Sequence, residues 1–256
     1  MGSSPLYDRI GTTYTSTRRP DPRIERAIHD ALGDAQSVIN VGAGAGGYEP
    51  TDREVVAVEP SPVMIAQRPA GAARVIRAEA ESLPFADGSF DAAMSVLSDH
   101  HWKDRRRGLE ELRRVARRRV VLFNIDPARA DALWMTTEYL PAFLDLIEPR
   151  YRREGYWESE LRSIFGTVRI KEVPIPHDCA DGFYGAFWRR PHAYLDPVVR
   201  AGISVFAQLD PGHVERGIAA LASDLESGAW ERRHRDLHAL DELSLDYYVV
   251  VAELAD

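Results

Sequence analysis

Short apolar, β-branched runs alternate along this chain with stretches whose apolar positions recur at helical spacing. Ser37-Val38-Ile39-Asn40-Val41 is continuous enough for a strand buried on both faces, and it ends in glycines. Further strands are expected at Val55 to Glu59, near Arg74 to Arg77, at Phe90 to Val96, at Val120 to Asn124, at Val168 to Val173 and at Leu245 to Val251. Asp21 as cap and Pro22 in the first turn open a helix through about Leu32. Others are expected near Pro62 to Gln67, over roughly Asp104 to Arg118, and as one long helix from about Arg129 to Ile147. Strands and helices in alternation predict a doubly wound, mostly parallel α/β sheet. From Asp178 to about Leu243 the period turns helical, punctuated by Pro191, Pro197 and Pro211. The chain then returns to a strand, so 178–243 is expected as a helical insertion covering one domain that spans 1–256, behind an N-terminal arm over 1–20.

Composition narrows the class. With 256 residues, 45% of them hydrophobic, a sizeable core can be buried. No apolar run is long enough to cross a bilayer, and Met1 to Thr15 lacks the basic and apolar regions of a signal peptide. The single Cys179 allows no internal disulfide and suits the reducing cytoplasm. A net charge of -8 argues against a polyanion binder. Arginines crowd Arg105 to Arg119, but Glu110 and Glu111 interrupt them and no aromatics interleave, so a solvated helix face is expected. A small-molecule partner is therefore expected, with neither nucleic acid nor membrane; composition leaves the oligomeric state open.

Candidate chemistry begins at Asn40-Val41-Gly42-Ala43-Gly44-Ala45-Gly46-Gly47, a glycine loop that lets backbone approach a nucleotide closely. Gly42, Gly44 and Gly47 also satisfy the dinucleotide fingerprint literally, which keeps NAD in view. Glu59, at the end of the second strand, can accept both hydroxyl protons of a ribose. Only 17 positions separate it from Gly42, with Pro50 between them. A dinucleotide fold normally places a full helix there and the acid about 20 residues on. The shorter span favours S-adenosylmethionine (SAM).

Three segments, in order and at matching spacing, carry a resemblance. Val38 to Gly46, Val56-Ala57-Val58-Glu59-Pro60-Ser61, and Ala80-Glu81-Ser82-Leu83-Pro84-Phe85-Ala86-Asp87-Gly88-Ser89-Phe90-Asp91 resemble the ubiquinone/menaquinone-type ("type 11") class I methyltransferases over about Tyr7 to Asp126. The resemblance implies a Rossmann-like sheet of seven strands whose last strand is antiparallel. It also implies that Gly42, Ala43, Gly44 and Gly46 wrap the methionine part of SAM, that Glu59 with Pro60 holds the ribose, and that Glu79 with the Ala80 backbone holds the adenine. Two positions depart from the family pattern: Asn40 stands where an acid is usual, and Glu79 where Asp is commoner. An amide oxygen still accepts from an ammonium, without a full charge.

After the fourth strand comes Ser95-Val96-Leu97-Ser98-Asp99-His100-His101-Trp102, which should face the cofactor with Ser95 on its wall. His100 or His101 could take the proton released on alkylation; neighbouring side chains on an extended segment point apart, so at most one is expected to serve. Similar proteins carry an N-terminal stretch like Tyr14 and Arg18 to Ile24, so Tyr7, Tyr14 and Arg19 are candidates for closing over the cofactor. His177-Asp178-Cys179 lacks the spacing of a zinc site, and no metal is expected, although His177 is a candidate for the substrate side. Tyr184, Phe187, Trp188, His192 and Tyr194, with Trp134 and Tyr139, supply a pocket or an ordinary core. The expected function is SAM-dependent methyl transfer to a small molecule by in-line displacement, releasing S-adenosylhomocysteine. An NAD(P)-dependent oxidoreductase and a non-catalytic SAM-binding protein are the alternatives.

Overall fold

The computed structural model describes residues 14–254. Its strands are β1 (Ser37–Val41), β2 (Glu54–Val58), β3 (Arg74–Ile76), β4 (Phe90–Val96), β5 (Ala116–Ile125), β6 (Val168–Glu172), β7 (Ile175–Pro176), β8 (Glu242–Leu243) and β9 (Tyr247–Glu253). Seven of them form one sheet in the order β3-β2-β1-β4-β5-β9-β6. β1 to β5 pair in parallel, and β9 runs antiparallel to both β5 and β6. This is the seven-stranded, Rossmann-like arrangement expected from the sequence.

The continuous apolar runs fill two cores, one on each face of the sheet. Val38, Met94, Val121, Phe123 and Val251 meet the helix Pro22–Leu32 on one face. Ile39, Ala93, Val120, Leu122 and Val250 meet Leu109, Leu112 and Leu161 on the other. Alternate residues of each strand thus point to opposite cores, which is why no polar stripe marks these strands in the sequence.

The segment between β7 and β8 is a series of helical turns around one longer helix, Pro211–Glu226, and that strand pair closes its neck. It packs on the first core through a cluster of aromatic side chains. The indole of Trp188 is fully buried and donates to the Ile175 carbonyl at 2.9 Å, and Trp134 donates to the Trp188 carbonyl at 2.7 Å. Trp134 also meets Tyr139, Tyr194 and Trp230 edge to face. No helix among the described residues is long and apolar enough to cross a membrane.

One expected element is absent. In place of a single helix from Arg129 to Ile147, the chain makes a short turn at Pro127–Arg129, a wide π-turn at Met135–Tyr139 and a 3-10 stretch at Pro141–Leu146. Pro141 forces the change: the residue before a proline is pushed out of the α region, and Leu140 has φ −130° and ψ 52°. A helix at Tyr156–Phe165, bounded by Gly155 and Gly166 at positive φ, was not anticipated.

Trp188 joins the insertion to the sheet core, so Trp188→Ala should cost about 3–5 kcal/mol. Urea unfolding followed by circular dichroism and by tryptophan fluorescence should show one shared transition in the wild type, shifted as a unit in the variant. Separate transitions would mean that the insertion folds independently.

Candidate functional site

Strand order reverses between β1 and β4, and in such sheets a crevice opens beyond the carboxyl ends at that point. A cavity of about 500 Å³ lies there, lined by the glycine loop after β1, by Glu59 after β2, and at the end of β4 by Val96, Leu97 and Ser98 with His100 to Lys103. Gly42, Gly44 and Gly46 have φ of 70°, 52° and 92°, a region that glycine enters without strain. A Cβ on Gly42 would overlap the Ser98 hydroxyl, so only glycine lets these two loops close together. Glu59 is buried, and its carboxylate accepts from the Gly44 and Ser61 backbone N–H groups, each at 2.8 Å. It therefore shapes the loop as well as facing the cavity.

Asn40 forms part of the cavity floor. Its Nδ2 donates to Glu49 at 3.1 Å, and Glu49 is locked to Arg68 in a buried ion pair at 2.7 Å. Asn40 Oδ1 is buried without a protein partner, an acceptor suited to an ammonium group. The missing acid is thus echoed by Glu49, one side chain further back.

A second cavity, of about 630 Å³, opens between β4, β5 and the insertion. Leu133, Phe143, Ile203 and Val205 give it apolar walls, beside a buried Asp99–Arg105–Glu160 network. Arg18, Leu97, His100, His101, Trp102, Lys103 and Gln208 line both cavities. Leu97 sits at φ 49°, strained for a branched side chain, where β4 gives way to this shared boundary.

The methyltransferase domain family model matches residues 39–123. A crystal structure described as a candidate methyltransferase from an antibiotic biosynthesis pathway of Anabaena variabilis is 32% identical, covers 93% of this chain and 99% of that one, and superposes with a TM-score of 0.82. This chain belongs to the class I SAM-dependent methyltransferases. An uncharacterized Escherichia coli protein, YafE, is 35% identical over 126 residues, 46% of this methyltransferase and only 58% of YafE. A Haemonchus contortus phosphoethanolamine N-methyltransferase in complex with phosphomonomethylethanolamine and S-adenosylhomocysteine shares the fold, with 13% identity, a TM-score of 0.54, and coverage of 98% of this chain and 56% of that one.

Of the residues expected at the cofactor, Gly42, Ala43, Gly44, Gly46, Glu59, Pro60, Glu79, Ala80, Tyr14 and Arg19 all line the first cavity, as do His100 and His101. Ser95 does not. The β-strand alternation buries its hydroxyl without a partner, and the rim is formed by Val96, Leu97 and Ser98 instead. Glu79 is half exposed and paired with Lys103 at 3.2 Å. The ordered arginine of the arm is Arg18, which donates to Asp181 at 2.7 Å, whereas Arg19 is exposed. Tyr7 lies outside the described residues. His177 lines neither cavity and contacts the Asp241 carbonyl at 3.1 Å. Among the expected aromatics only Tyr184 reaches the second cavity; Trp134, Tyr139, Phe187, Trp188 and Tyr194 are core. Burial pushes the Cys179 thiol up to about 12, so it is not a nucleophile.

Sequence reasoning missed Asp181, Asn124 and the Ser98–Trp102 contact, in which the indole donates to the hydroxyl at 3.2 Å. None has a motif; each acts through tertiary placement.

The histidines do not point apart. Asp99–His101 is a 3-10 turn, not an extended strand, and the two rings lie 3.9 Å apart between centroids. His100 is exposed towards the cavities, and His101 is half-buried. Burial lowers the His100 pKa against the opposing pull of Asp99, with Arg105 and Arg18 also lowering it. Burial holds His101 well below the ordinary range, and His100 and Arg18 push it the same way. Both rings are therefore neutral at pH 7, the state that can accept a proton.

In the unfolded chain these imidazoles titrate near about 6.5. Their stabilising contribution is complete above that pH and is lost as pH falls through the lower folded values, because the unfolded state then binds more protons. NMR titration should place both pKa values below 6.5; a value at or above it for either ring would overturn this electrostatic picture.

Proposed function

We propose that this methyltransferase transfers the SAM methyl group to a small molecule held in the second cavity, by in-line displacement with release of S-adenosylhomocysteine. The observation that carries the reading is that donor and acceptor cavities share a boundary at His100 and His101. The glycine loop, Asn40 Oδ1 and the Glu59 carboxylate offer backbone donors, an ammonium acceptor and a ribose acceptor along one wall. The group fits the residues present. When bound, SAM supplies an already activated methyl. The chain's own task is then to hold the acceptor in line, exclude water with the insertion and the arm, and accept one proton at an imidazole.

The oxidoreductase alternative is disfavoured by the connection from β1 to β2, which contains turns and no helix. A dinucleotide's pyrophosphate sits on the N-terminus of such a helix. A nucleic-acid acceptor is disfavoured by the fate of the arginines: Arg106, Arg107, Arg114, Arg117, Arg118 and Arg119 are each paired with a carboxylate of the chain itself. A cytoplasmic setting accords with the lone, buried Cys179.

S-adenosylhomocysteine at about 100 times its dissociation constant should stabilise the fold by about 2.7 kcal/mol, read as a rise in Tm, and NADH should give no shift. A shift with NADH alone would contradict the reading. Glu59→Ala should weaken S-adenosylhomocysteine binding by about 1–3 kcal/mol in calorimetry, since it removes the ribose acceptor and the brace of Gly44 together. A folded variant with unchanged affinity would show that Glu59 serves the strand end only. Turnover of methyl-labelled SAM against a cell extract separates an enzyme from a protein that only binds SAM.

A further inference from the structure

Two tyrosines that line the second cavity each carry a hydroxyl proton for which the chain provides no acceptor. Tyr247, at the start of β9, is 4% exposed, and its oxygen accepts from the Gly185 backbone N–H at 3.2 Å. Among the described residues no group accepts its proton in turn. The ring is held by Phe123 and Phe183, at 5.9 and 4.9 Å between centroids. A Cβ on Gly185 would lie 2.8 Å from that ring, so a glycine is needed for the turn Tyr184–Phe187 to close on the phenol. Tyr184, in the same turn, meets the Thr136 hydroxyl at 3.2 Å. Thr136 is fully buried, and Tyr184 is the one partner of its hydroxyl among the described residues. If Tyr184 donated, the Thr136 proton would be buried without an acceptor, which is costly. Thr136 therefore donates, and the Tyr184 proton is left to the cavity. Burial pushes both phenol pKa values up, so both remain protonated donors at pH 7.

One turn thus supplies one phenol and grips the other, and what the pair lacks is a lone pair to donate to. An ammonium group has none, and a neutral amine has one. A carbonyl oxygen has two and accepts from both hydroxyls at once. A carboxylate also accepts both, but neutral phenols bring no positive charge to offset its desolvation. Leu133, Phe143, Ile203 and Leu245 line the same cavity and suit a carbon skeleton around that oxygen.

We infer that Tyr184 and Tyr247 select the methyl acceptor, and that it is a ketone-bearing molecule whose carbonyl oxygen receives both phenol protons. This rests on the methyl-transfer reading above and names the substrate class of that site. The phenols bind and orient, and no bond is made or broken at them. The atom that takes the methyl group lies elsewhere on the same molecule.

The test is calorimetry on protein saturated with S-adenosylhomocysteine, using 1-tetralone, tetralin and 1,2,3,4-tetrahydro-1-naphthoate as probes of similar shape. 1-Tetralone should bind about tenfold more tightly than either of the others, the worth of one net hydrogen bond. Tyr247→Phe and Tyr184→Phe should each weaken 1-tetralone and leave tetralin unchanged, whereas a merely structural role would weaken both probes alike. In the wild type, independently of any variant, the infrared carbonyl stretch of bound 1-tetralone should lie below its value in an aprotic solvent. Equal or tighter binding of tetralin or the carboxylate, no binding of 1-tetralone, or an unshifted stretch would overturn the proposal. Failure to bind S-adenosylhomocysteine at all would instead strike the methyl-transfer reading, and is seen before any probe is added.

Discussion

Asp181 ties three distant parts of the chain together. Its carboxylate accepts from the Arg18 guanidinium and from the Tyr48 hydroxyl at 2.9 Å, and Tyr48 in turn accepts from the Asp21 backbone N–H. The arm, the end of the glycine loop and the first residues of the insertion thus converge on one group that is 2% exposed. Breaking a buried ion pair by removing one partner typically costs about 3–5 kcal/mol, because the other charge is left stranded. Arg18 borders both cavities, so the same contact that fastens the insertion also holds a residue on the wall between them.

The sheet and the glycine-loop wall of the first cavity were legible in the sequence because they depend on local signals. Continuous apolar runs marked β1, β4 and β5, and a glycine loop followed at short range by Glu59 marked one wall of the first cavity. The glycines are needed where the backbone takes positive φ, a demand that sequence records directly. The helix Tyr156–Phe165 was equally readable in principle, since Trp157, Leu161, Ile164 and Phe165 follow helical spacing between two glycines. The expected long helix is broken where Pro141 pushes Leu140 out of the α region.

The second cavity was not legible, for a physical reason. Its walls come from β5, the turns after it and the insertion, and its polar groups gain meaning only from contacts far apart in sequence. Asn124 matters because Asp99 and His100 meet it, 25 and 24 residues away. Extended geometry also misled: the histidines were expected to diverge, but a 3-10 turn brings their rings together, tilted at 50°. Ser95 was placed on the wall by proximity alone, one pleat short of the rim. The family fixes the fold, and a shared fold does not by itself fix the second substrate.

The central claim is that one donor cavity meets one acceptor cavity at the histidine pair. A crystal structure with S-adenosylhomocysteine bound tests it most directly. The account predicts the ribose hydroxyls on Glu59, the amino group on Asn40 Oδ1, and the sulfur facing the boundary formed by Leu97, His100 and His101. A ligand seated elsewhere, or one whose sulfur faces away from the second cavity, would contradict it.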